Sequence, residues 1–180
     1  MSLNPSTYKI LLTAIVITAA FIDLRSRRIP NWLTFPAMAI GMAMNLIILG
    51  GEGFLFSIKG LAAGMALLLI PYMMGAMGAG DVKLMGVVGA FLGAESVFHV
   101  CIISLLFGGI YAVILIIIKG NVSLFLKRHW LMLRNLLMHR QIQYIQPSPG
   151  EFPPKLCFGL AIAVGTIFTI FRQGQFPGNI

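Results

Sequence analysis

Long apolar runs alternate along this chain with short polar clusters. Leu3 to Ile22 is the first run, and it stops at Asp23 and three arginines, Arg25, Arg27 and Arg28. The later runs are Trp32 to Leu49, Phe54 to Met74, Val82 to Gly93, Val97 to Ile118 and Leu156 to Phe171. A helical crossing of a bilayer needs about 20 apolar residues. Most of the six approach that length; the fourth is short, which places Asp81 below the membrane surface. Between the runs, Asp23 to Asn31 is a short basic loop in which Ile29-Pro30-Asn31 separates the first helix from the second. Gly50-Gly51-Glu52-Gly53 is a turn, Gly75 to Asp81 is a glycine-rich loop, and Glu95 with Ser96 marks a further turn. The pattern predicts an all-α polytopic membrane protein of about six transmembrane helices, organised as one membrane-embedded domain over residues 1–180.

Residues 119–155 break the pattern. On a helical wheel Val122, Phe125, Leu126, Trp130, Leu133, Leu136 and Leu137 share one face, with Lys127, Arg128, Arg134, Asn135 and His139 opposite, although Arg140 and His129 interrupt the separation. Such a segment predicts an amphipathic helix lying in the headgroup plane, either as a plain connector or as a surface that receives a lipid-bound substrate. The first run could be taken for a cleaved signal peptide. Its start lacks a basic region, however, and it ends in an aspartate and arginines rather than a processing site, so a retained span is expected.

Composition supports the membrane class. The chain is 58% hydrophobic and 10% charged, with mean hydropathy +0.93, too few charges for the surface of a soluble globule. Its net charge of +8 reflects topology and anionic lipid rather than a nucleic-acid partner. With the N-terminus outside, one side of the membrane receives Arg25, Arg27, Arg28, Lys83, Lys119, Lys127, Arg128, Arg134, Arg140 and Lys155. The other receives only Lys9, Lys59 and Arg172. The positive-inside rule then places both aspartates and the long loop on the cytoplasmic face. Cys101 and Cys157 lie far apart with no C-x-x-C pair, so no zinc or redox motif is present. No metal and no cofactor are expected.

The candidate chemistry lies in the acidic residues. There are five, and the two aspartates, Asp23 and Asp81, both sit at the edge of an apolar run on the same predicted face. Carboxylates near hydrocarbon are costly and usually functional. Brought together, they cannot both ionise cheaply: one takes a proton from water while the other donates a hydrogen bond to a substrate carbonyl. Glycines on either side of Ala79 would let an extended peptide approach Asp81. Taken singly, Asp81 could instead be a helix N-cap, and Asp23 could belong to a solvated cluster with Arg25, Arg27 or Arg28. A transporter using the aspartates as proton or cation ligands, or a non-catalytic assembly factor, are the alternatives. Gly60-x-x-x-Gly64 and Gly89-x-x-x-Gly93 call only for close helix packing.

Gly78-Ala-Gly-Asp-Val-Lys-Leu84 matches the G-x-G-D-x-K-L signature of bacterial type IV prepilin peptidases, the GxGD intramembrane aspartyl protease family. Asp23 to Thr34, with Ile29-Pro30-Asn31 inside it, resembles the first-aspartate segment of that family. Pro154 to Gly165 resembles its Pro-(Tyr/Phe)-Gly-x-Ala-Ile-x-x-Gly stretch, with Pro154 separated from Phe158-Gly159. The resemblance implies an aspartic endopeptidase at the cytoplasmic face of the bacterial inner membrane. Such an enzyme removes the basic leader of prepilins or pseudopilins after a glycine. Asp23 and Asp81 take the catalytic positions, Gly78 and Gly80 the loop glycines, and Lys83 and Asn31 supporting positions. Larger members carry a further cytoplasmic region with paired cysteines and methyltransferase activity. This chain is similar to the short CpaA/TadV-like form of Flp/Tad pilus systems, for which no methyl transfer is expected.

Overall fold

The computed structural model describes residues 5–73, 75, 77–119, 130 and 157–173, and among these all regular structure is α-helical. The helices are α1 (Pro5–Ser26), α2 (Asn31–Met73), α3 (Ala79–Lys119) and α4 (Phe158–Gln173). Among the described residues three segments are long and apolar enough to cross a membrane: Thr7–Ser26, Asn31–Met73 and Ala79–Ile114; Phe158–Arg172 is a shorter apolar helix. The chain forms two compact units, Met1–Phe107 with Cys157–Ile180, and Gly108–Leu156. The first carries every candidate site residue. The interfacial helix expected within 119–155 falls outside the described residues, apart from Lys119 and Trp130.

A straight helix of 43 residues would measure about 65 Å, twice the bilayer core of about 30 Å, but α2 is not straight. Gly50 leaves the helical region at φ 63°, ψ −142°, a left-handed conformation open to glycine without steric cost. The chain folds back there, because Asn45 Nδ2 reaches Ser57 Oγ at 2.8 Å. A continuous helix would hold those residues about 18 Å apart. Gly93 (φ 80°, ψ 175°) does the same for α3. A methyl placed on Gly64 would touch both the Met85 carbonyl and the Val97 side chain, one on each side of that break. Each long helix is therefore a hairpin of two arms. The first reversal needs one residue rather than the four-residue turn expected at 50–53, and the second comes at Gly93, ahead of Glu95 and Ser96.

The first arm of α3 is the core of this unit. Val82, Leu84, Met85, Val87, Val88, Ala90 and Phe91 are all buried. The glycine pairs in the sequence explain how the neighbouring arm of α2 comes so close. A Cβ on Gly60 would lie 2.0 Å from the Gly89 carbonyl oxygen, and one on Gly89 would lie 2.0 Å from that of Gly60. Backbone packs on backbone, as small residues allow in lipid.

At the far end of this contact a polar knot replaces hydrophobic packing. Tyr8 Oη donates to the Phe91 carbonyl. Asn45 Nδ2 lies 3.1 Å from Tyr8 Oη and 3.0 Å from the Ala90 carbonyl. The knot ties α1, both arms of α2 and α3 together about 22 Å along α1 from Asp23.

α1 buries one stripe, Tyr8, Leu12, Val16, Ala19, Ala20 and Asp23, at helical spacing. It packs chiefly against α4. Ile10, Ile17, Phe21 and Leu24 lie exposed on its other side, an apolar surface suited to lipid rather than water.

Candidate active site

Both aspartates are helical, which corrects the expected loop boundaries. α1 continues three residues past Asp23. It closes through Arg27, which adopts φ 52° and whose N–H donates to the Asp23 carbonyl at 2.7 Å, the 5→1 bond of a left-handed C-cap. α3 starts at Ala79, so Asp81 stands in its first turn. There its Oδ2 accepts from the Gly78 N–H at 3.0 Å. The capping role considered for Asp81 is thus real, in the reciprocal form in which the third residue of the helix reaches back to the N-cap amide.

Asp23 is held from a different direction. Its Oδ2 accepts from the Gly159 N–H at 3.0 Å, and its carbonyl lies 3.9 Å from Cys157 Sγ. Asp23 is 5% exposed and Asp81 6%, and the start of α3 packs on Ile29, just after the helix that carries Asp23. Three helix ends therefore converge, the C-terminus of α1 and the N-termini of α3 and α4. No ion pair to an arginine is needed to explain Asp23, whose buried carboxylate faces α4.

The supporting residues are brought in as well. Lys83 Nζ donates to Asn31 Oδ1 at 2.7 Å and lies 5.0 Å from the Phe35 ring centre, tying the start of α3 to the start of α2. At Gly80 the space a side chain would take is filled: a Cβ there would lie 2.9 Å from Ile29 Cβ and 3.2 Å from its backbone nitrogen. Gly80 lets α3 dock on the chain that follows α1. Gly78 is exposed, and a Cβ there would make only an ordinary contact at 3.4 Å with Asp81 Oδ2. Among the described residues no group of three or more His, Cys, Asp or Glu is gathered to hold a metal ion. Gly159 is a site residue that the sequence alone does not single out. The Phe158-Gly159 pair was visible as a motif, but only the fold shows that its amide meets a carboxylate.

The sequence profile of the Type IV leader peptidase family matches residues 10–113, more than half of the chain and inclusive of both aspartates. The chain belongs to that family. It is 34% identical over 120 residues to a prepilin leader peptidase/N-methyltransferase of Aeromonas salmonicida (strain A449), covering 62% of this chain and 40% of that protein. It is 31% identical over 122 residues to a protein of the same description from Neisseria gonorrhoeae, covering 62% and 41%. The aligned part thus spans about two-fifths of the curated relatives. No solved structure is a significant match. Family membership gives the convergence of Asp23 and Asp81 a chemical context that buried carboxylates alone would not have.

Proposed function

We propose that this type IV leader peptidase family member is an aspartic endopeptidase that removes the leader of a prepilin or pseudopilin, with Asp23 and Asp81 as its catalytic pair. The observation that carries the proposal is the pair itself: two buried carboxylates at converging helix ends, each accepting one backbone N–H through Oδ2. One carboxylate takes a proton from a water as its oxygen attacks the scissile carbonyl carbon. The other donates a proton to the carbonyl oxygen, and collapse of the diol returns a proton to the departing amine. Lys83 and Asn31 steady the α3 end of the site, and Gly78 leaves room for the peptide.

The proposal extends to six crossings within a single peptidase domain, supported by the reversals at Gly50 and Gly93. It extends also to the bacterial inner membrane with the site facing the cytoplasm, supported by the distribution of basic residues, and to the Flp/Tad-type short form. A reporter fused after Gly120 is expected on the cytoplasmic side and one after Gly51 outside. The opposite pattern would overturn the orientation.

The central experiment uses purified protein in detergent with a prepilin carrying a basic leader. Cleavage after the glycine is expected, unchanged by a chelator and by serine- or cysteine-directed reagents, because a carboxylate pair generates its own nucleophile. With S-adenosylmethionine present, the product is expected without an added methyl group. Loss of cleavage with chelator and recovery on adding metal would refute the mechanism, and a methylated product the short-form assignment.

A further inference from the structure

We infer that Gly159 is a positioning residue of this site: its backbone N–H fixes the direction of the Asp23 carboxylate, and a side chain there would displace that carboxylate. The inference rests on the peptidase reading above and goes beyond the two aspartates to the element that aims one of them.

Asp23 is anchored by its backbone in the last turn of α1, where its carbonyl accepts from Arg27. Nothing in that anchoring chooses the direction of the carboxylate. Gly159 does, through its 3.0 Å bond to Oδ2. As the second residue of α4, Gly159 has an N–H with no partner inside the helix, and the positive end of the helix dipole favours a carboxylate at that point. The contact is also too close for a side chain unless Asp23 shifts. A Cβ on Gly159 would lie 2.9 Å from Asp23 Oδ2, 3.2 Å from its Cβ and 3.3 Å from its Cγ. Asp23 has no long flexible arm to withdraw. Its carboxylate would swing about χ1 and lose that direction.

Among the described residues, Asp81 on α3, Cys157 just before α4 and Arg27 after α1 are the titratable and charged groups near Asp23, and none of them supplies the Oδ2 bond. The Phe158-Gly159 motif thereby acquires a role in the chemistry, in addition to starting the last helix.

A packing effect is separable from a positioning effect on the same helix. Gly165, also on α4, faces the second arm of α3, where a Cβ would lie 2.4 Å from Ser104 Oγ and 2.9 Å from the Val100 carbonyl. Gly165→Ala therefore strains α4 without touching Asp23. The experiment measures kcat, KM and thermal stability for wild type, Gly159→Ala and Gly165→Ala with a prepilin peptide. Gly159→Ala is expected to lower kcat by about 100-fold, the scale of a misplacement of about 1 Å, with KM within about twofold of wild type. Gly165→Ala is expected to lower stability while its folded fraction keeps near-normal kcat.

Should Gly159→Ala fail to fold, glycolic acid at position 159 replaces the amide by an ester. It removes the N–H without adding an atom or breaking an intrahelical bond, and is expected to lower kcat by roughly tenfold or more. If the two alanine variants lose activity in proportion to lost stability, or the ester variant retains wild-type kcat, the positioning role is refuted. A wild-type protein that cuts nothing would refute the peptidase reading instead.

Discussion

Asp23→Asn and Asp81→Asn should each abolish leader removal, by at least about 10³-fold in kcat, while the protein still inserts at its normal level. Asparagine keeps the size of the side chain and an oxygen able to accept from Gly159 or Gly78, so the local fold is retained. What it removes is the proton that must move between water, carbonyl and leaving amine. Because the pair acts as one unit, the effects should not add, and the double variant should be about as inactive as either single one. Glu52→Gln and Glu95→Gln are the controls, since both residues are exposed and lie beside the reversals at Gly50 and Gly93. A transporter would show altered ion flux with leader removal intact, and an assembly factor would tolerate the changes. Near wild-type cutting of a prepilin by purified Asp23→Asn or Asp81→Asn protein would end the catalytic assignment.

Gly60→Ala and Gly89→Ala should destabilise the fold by about 3 kcal/mol each, the upper end of the range for overpacking. In each case the added methyl meets the facing carbonyl carbon as well as its oxygen, both closer than 3 Å, and neither can rotate away as a side chain would. The two arms must separate, and with them the arm of α3 that carries Asp81. A fall in thermal stability in detergent is expected, with loss of activity following it. Gly51→Ala is the contrast, because a Cβ there meets no described atom within 4 Å, so the better helix propensity of alanine leaves stability equal or slightly raised. If Gly60→Ala and Gly51→Ala behaved alike, the backbone contact between α2 and α3 would be absent.

The sequence by itself determined the membrane class, the positions of the apolar segments, and which residues could carry the chemistry. Hydrocarbon imposes a strong length and polarity filter, so spans are legible from hydropathy alone. In such a chain the aspartates stand out, and their spacing from Ile29-Pro30-Asn31 and from Gly78 and Gly80 carried the family resemblance.

Facing was not legible. On α1 the buried Leu12 and Val16 and the exposed Ile10 and Ile17 are equally apolar, because lipid and protein interior ask for the same side chains; hydrophobic periodicity cannot tell them apart. Only the tertiary structure placed Asp23 on the buried stripe. Helix ends were misread for a related reason: Asp23 and Asp81 are polar, but each is satisfied by a backbone N–H from Gly159 or Gly78 and so remains inside a helix. That Ile29 fills the space beside Gly80 was likewise visible only in the fold. The meeting of Gly159 with Asp23 joins segments more than a hundred residues apart, and local pattern carries no information across that distance. The fold decided it, through the packing of α4 on α1.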